Sequence, residues 1–243
     1  FYCIFVCHEL NNKSGIMRAL TIFFLSLFSL PLVLNAQSVD EMLQKVSAAI
    51  ESGQHGQAVS YFRQTIGLNI DRTEMFYWTS IDKSSEISSK LAVELASAYR
   101  RNRSYDKAYL FYKELLQKTP DNVDYLEACA EMQVCRGQEK EALRMYEKVL
   151  QLDADNLAAN IFLGNYYYLM AEKEKKRLDT DFKKLASPTK MQYARYRDGL
   201  SKVFSTGYQK ARNSLRKVIS QFPSTEAQKT LDKILRIEKE VNR

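Results

Sequence analysis

Small and bulky apolar positions recur along the chain with a fixed period. Ala108 and Ala142 are 34 positions apart, as are Tyr112 and Tyr146, and the polar pair Asn122 and Asn156 keeps the same interval. The segments Ser89–Asn122 and Val123–Asn156 therefore abut without a gap. Each reads as two helices of about a dozen residues joined by a short turn. In the second segment the turn is Arg136-Gly137-Gln138, where Gly accepts the left-handed conformation that ends a helix.

Two stretches fall outside this rhythm. Thr73–Ser88 adds 16 residues and holds Met75-Phe76-Tyr77-Trp78, a dense aromatic cluster. It reads as a hydrophobic plug between the first helix pair and the second; the alternative is an exposed binding edge. Further on, Tyr99 and Ala108 are 9 apart, but their counterparts Tyr167 and Ala211 are 44 apart, so 35 residues are inserted. Ser187-Pro188 breaks the insert near its middle, with Ser187 suited to an N-cap and Pro188 to the first helical position. Both helices of the pair should then be prolonged by about 17 residues, projecting about 25 Å at the helical rise. Leu178, Phe182 and Leu185 form a stripe going out. Tyr196, Leu200, Val203 or Phe204, and Tyr208 form one coming back, to zip the two together. A last helix is expected over 225–243, capped by Thr225 with Gln228 and apolar at Leu231, Ile234, Leu235 and Ile237.

These residues resemble the tetratricopeptide repeat family. Its small second-helix residue is matched by Ala58, Ala108, Ala142 and Ala211, and the bulky residue four positions later by Phe62, Tyr112, Tyr146 and Leu215. The first-helix tyrosine is matched by Tyr99 and Tyr167, the interhelix Gly by Gly53 and Gly137, and the closing proline by Pro120 and Pro223. Ala49 and Gln133 depart from the tyrosine, and only Gly164 matches the first-helix Gly. The resemblance implies an all-α solenoid of about four helix pairs, at about 39–72, 89–122, 123–156 and 157–223. The last pair is drawn out into a long antiparallel hairpin (173–206), and 225–243 forms a capping helix. Residues 37–243 are expected to make one domain.

Near the start, Arg18 precedes an apolar core from Leu20 to Leu34, and Leu34-Asn35-Ala36 offers a cleavage site. The expectation is a signal peptide starting at Met17, preceded by an over-extended start, and cleaved after Ala36. That implies export to the periplasm or beyond, without a lipoprotein Cys. Cys3, Cys7 and His8 would leave with this segment, so the mature chain keeps Cys129, Cys135 and His55. Six residues along one helix separate the two cysteines by about 9 Å of rise, beyond a disulfide. One histidine assembles neither a triad nor a His-rich metal site, and no phosphate loop or nucleophile elbow occurs. No catalytic residue, metal or cofactor is therefore assigned, and a thiol enzyme is the remote alternative.

Charge changes the picture at the hairpin. Residues 173–206 carry ten basic side chains against four acidic ones, a net of +6. Residues 37–243 as a whole have 34 against 28, so the body is neutral. Lys175, Lys176, Arg177, Lys183, Lys184, Lys190, Arg195 and Arg197 are the candidate contacts for an acidic protein, a membrane surface or a phosphorylated polymer. Nucleic acid is not expected. The family's groove is lined by first helices, which implies Lys90, Val93, Ser97 and Arg100, then Asp124, Glu127 and Glu131, then Ala158, Ile161, Asn165 and Tyr168. This basic-to-acidic-to-apolar run suits an extended peptide. Val93 and Ser97 replace two residues with which some relatives grip a terminal carboxylate. The expected role is an interaction module or scaffold of the cell envelope; the alternative is a permanent structural subunit there.

Overall fold

The computed structural model describes residues 38–242, so the expected leader lies outside them. The order is α1 (Val39–Glu51), α2 (His55–Leu68), α3 (Ile70–Ser80), α4 (Glu86–Arg101), α5 (Tyr105–Lys118), α6 (Val123–Cys135) and α7 (Glu139–Leu152). There follow α8 (Leu157–Lys183), α9 (Lys190–Val203), a π-helical turn (Phe204–Tyr208), α10 (Gln209–Gln221) and α11 (Thr225–Val241). No strand occurs among the described residues. Helices pair as α1/α2, α4/α5, α6/α7 and α8/α10, and each pair leans on the next, α5 on α6 and α7 on α8.

The repeat spacing acts through packing. Ala58, Ala108, Ala142 and Ala211 are wholly buried at the helix crossings, and Phe62, Tyr112, Tyr146 and Leu215 are buried one turn on. Gly164 lies at such a crossing: a Cβ there would stand 3.0 Å from Leu215 Cδ2. Asn122 and Asn156 recur because both cap helices, accepting from the Tyr125 N–H at 3.0 Å and the Ala159 N–H at 2.9 Å. Gly53 and Gly137 end their first helices with φ of +70° and +74°. The equivalent position in the second repeat is Arg103, at φ +58°, where an L side chain is strained.

The segment beyond the first repeat folds as α3, which begins at Ile70, ahead of the expected Thr73. Its aromatic cluster is neither all plug nor all edge, because four successive helical residues point about 100° apart. Tyr77 is fully buried and donates to Glu114 at 2.7 Å. Phe76 is half-buried, while Met75 and Trp78 stay about half exposed, the Trp78 ring stacked 5.4 Å from Phe111.

The insert between α8 and α10 is a helical hairpin. Phe182 stacks on Tyr196 with centroids 4.3 Å apart, and Leu178 covers Gly199. Leu185, expected in the stripe, lies past the end of α8 and is exposed. Thr189, not Ser187, caps α9. Its hydroxyl accepts from the Gln192 N–H at 3.2 Å, and the Gln192 side chain accepts from the Thr189 N–H at 2.8 Å. The residue three beyond Ser187 is Lys190, which has no acceptor to return such a bond. Likewise Ser224, not Thr225, caps α11, while Gln228 bonds Asp232. The π turn explains why either Val203 or Phe204 could fit the return stripe. Val203 and Tyr208 are both buried although five apart, the step of a π-helix. At this turn Gly207 lies against Ala171, so closely that a Cβ would fall 2.7 Å from the Ala171 Cβ.

The hairpin stands out less than 25 Å. Arg197 donates to the carbonyls of Glu240 and Val241 at 3.3 and 2.8 Å, so the end of α11 braces α9 halfway along. Only about two turns, some 10 Å, continue beyond that brace.

Candidate functional site

Two depressions lie side by side where α4, α6 and α8 succeed one another. The first, of about 430 Å³, has Ser97, Arg100 and Glu131 in its wall, with Arg103 and Cys135 at its edge. The second, of about 620 Å³, holds Ala158, Ile161 and Asn165, with Glu131 shared between the two. Five of the expected groove residues beyond Glu131 are thus brought together. The others are placed differently. Val93 is half-buried against the core, Lys90 pairs with Glu86 at 2.7 Å, and Glu127 accepts from Asn156 at 3.0 Å. Asp124 is exposed. Tyr168 turns away to pack edge-on against Tyr208, 6.1 Å between centroids.

Leu169 takes the place expected of Tyr168. Steps of about 100° set Leu169 within roughly 20° of Ala158 around α8, whereas Tyr168 falls about 80° away. Val134, Leu169 and Met170 were not among the expected groove residues, and Leu169 was missed by taking the three-residue step from Asn165 in place of the four-residue one. Their exposures of 36%, 65% and 51%, with 42% for Ile161, leave a continuous apolar lining on α6 and α8. Tyr146 forms part of the wall, and burial pushes its hydroxyl up to about 12. Lys173 and Glu139 stand at the rim.

The change from basic to acidic along the groove is largely cancelled within the chain. Arg100 donates to Glu131 through Nε at 3.1 Å, and its Nη2 lies 2.5 Å from the other carboxylate oxygen. What the groove offers a ligand is mainly apolar.

The arm's charge is likewise part spent. Lys175 pairs with Asp179 at 2.8 Å, Arg177 with Glu174 at 2.5 Å, and Lys184 with Asp181 at 3.0 Å, while Arg197 is held by α11. Asp179 also accepts from Tyr196 at 2.7 Å; burial and then that carboxylate push the Tyr196 hydroxyl up to about 12. Lys176, Lys183, Lys190 and Arg195 are exposed. Cys129 is buried and Cys135 exposed, and no cluster of metal-ligating side chains forms among the described residues.

A family model of the tetratricopeptide repeat matches residues 91–123. A solved structure from Bacteroides ovatus, provisionally described as a protein binding protein, is 85% identical; it covers 84% of this chain and 100% of its own, with a TM-score of 0.77. A tetratricopeptide repeat protein from Parabacteroides merdae shares 16% identity over 84% of this chain and 75% of its own, with a TM-score of 0.37. No curated protein matches the chain. The recurring Ala and aromatic pairs, the left-handed turns between paired helices, the family-model match and the likeness to the Bacteroides ovatus structure lead to one assignment: the chain belongs to the tetratricopeptide repeat family.

Proposed function

We propose that this chain is a protein-interaction module that takes an extended, predominantly apolar peptide segment between α6 and α8. The observation that carries this reading is the lining of Val134, Ile161, Leu169 and Met170. These side chains sit exposed in a concavity instead of in the core, an arrangement that marks a recognition surface. The neutral pairing of Arg100 with Glu131 leaves apolar contact, with Lys173 and Glu139 at the rim, to fix orientation. Binding, not catalysis, is the activity. Its site is the cell envelope, on the strength of the signal-like run from Leu20 to Leu34. Peptides selected from a random library against the full chain provide the test. Binders should weaken more than tenfold with Ile161→Asp or Leu169→Asp and little with Lys90→Glu. Binders indifferent to both groove substitutions would overturn the reading.

A further inference from the structure

The hairpin tip combines two properties that neither the repeats nor the groove use. Met191 and Tyr193 on the first turn of α9 are 66% and 52% exposed, and Leu185 in the connecting turn is 38% exposed. Around them, from Phe182 to Arg197, the sequence has five basic residues and no acidic one. Lys184 reaches back to Asp181 and Arg197 to α11. Lys183, Lys190 and Arg195 have no ion-pair partner among the described residues.

This end is built to hold its shape. Phe182 stacks on Tyr196 and meets Tyr193 edge-on at 6.1 Å, and the Thr189–Gln192 capping box fixes the start of α9. The apolar side chains therefore stand out from a firm base, with cations in a collar around them.

We propose that the tip docks on an anionic lipid surface. Leu185 and Met191 would enter the acyl boundary and the Tyr193 ring would lie at headgroup level. The collar of Lys183, Lys190 and Arg195 would face the anionic headgroups, with its alkyl stems along the apolar boundary. Charge alone would also suit an acidic protein. The protruding apolar side chains separate the two, since a bilayer receives them without a matching pocket. This surface is independent of the groove, and either reading can fail without the other.

The test reads the tip directly, so that the apolar run at Leu20–Leu34 cannot imitate the result. Tyr193→Trp is introduced in the full chain with Trp78→Phe, folding is checked by circular dichroism, and the protein is mixed with brominated phosphatidylglycerol or phosphatidylcholine vesicles. Bromine should quench the introduced indole in phosphatidylglycerol, at least tenfold more strongly than in phosphatidylcholine at equal lipid. The joint change Lys183→Glu, Lys190→Glu and Arg195→Glu should remove the quenching while leaving the helical signal intact. No quenching in either vesicle, or equal quenching in both, overturns the proposal. So does tip-dependent binding to polyglutamate without any response to vesicles, which would assign the tip to an acidic protein.

Discussion

Arg100 and Glu131 meet across the groove in a two-point contact, joining the first helix of one repeat to the first helix of the next. Both remain partly exposed, at 47% and 37%, so water and salt screen the attraction. A double-mutant cycle with Arg100→Ala and Glu131→Ala should give a coupling of about 0.2–1 kcal/mol at low salt. It should shrink toward zero at 1 M NaCl. A larger, salt-insensitive coupling would mean that the pair is more desolvated than its exposure indicates.

Arg103 occupies the left-handed position that Gly53 and Gly137 occupy in the neighbouring repeats. Arg103→Gly should relieve the backbone strain, and unfolding in urea should show a gain of about 0.5–1 kcal/mol. The mirror experiment, Gly137→Ala, should lose about 1 kcal/mol or more. If Arg103→Gly instead destabilises, the arginine side chain makes contacts that outweigh its strained backbone.

Gly207 and Gly199 both sit inside the hairpin, yet their substitutions should differ. A methyl at Gly207 would fall 2.7 Å from the Ala171 Cβ on a helix that cannot give way, so Gly207→Ala should cost about 1–3 kcal/mol. At Gly199 the neighbour is the flexible end of Leu178, at 3.1 Å. The helix-propensity gain of about 1 kcal/mol should roughly offset that adjustment, leaving Gly199→Ala near neutral. Thermal midpoints of the two variants separate these outcomes.

The two cysteines should behave as opposites toward iodoacetamide at pH 8. Cys135 is exposed and should be alkylated in the folded protein; Cys129 is buried and should react only on unfolding. Burial pushes the Cys129 thiol up to about 12, and burial followed by the Glu74 carboxylate raises the Tyr99 hydroxyl to about 12. The folded state therefore holds these protons more tightly than the unfolded chain. The stabilisation is complete below the unfolded values, about 8.5 for Cys and 10 for Tyr, and is lost as pH rises toward 12. Melting temperature should fall along this alkaline limb, and Cys129→Ala should delay its onset.

How far these features could be read from the sequence depends on the range of the interaction that produced them. The crossing pairs Ala108 with Tyr112 and Ala142 with Tyr146 repeat a local geometry, so their spacing alone marks the helices. The interval between Asn122 and Asn156 was equally visible, although its cause, a pair of N-caps, needed backbone directions. The π turn left only a trace, the uncertain choice between Val203 and Phe204, because the periodicity of an α-helix cannot count an inserted residue. Lys175, Arg177 and Lys184 looked available because charge totals ignore partners one helical turn away. The brace between Arg197 and the end of α11 joins residues more than 40 positions apart, and nothing in either segment announces it. In the groove, one difference was a single helical step, from Leu169 to Tyr168, while Lys90 and Glu127 were drawn off by partners that spacing does not show.

Helix α8 runs for 27 residues without a break, a rod of about 40 Å. Its first turns carry Ala158 and Ile161 into the groove, and its last carry Phe182 to the foot of the tip. The proposed groove and the proposed tip therefore lie about 30 Å apart on one continuous helix, which Gly207 meets at Ala171 between them. Should a lipid surface at the tip alter the groove's affinity for a peptide, the peptide must alter the hold of the tip by the same factor.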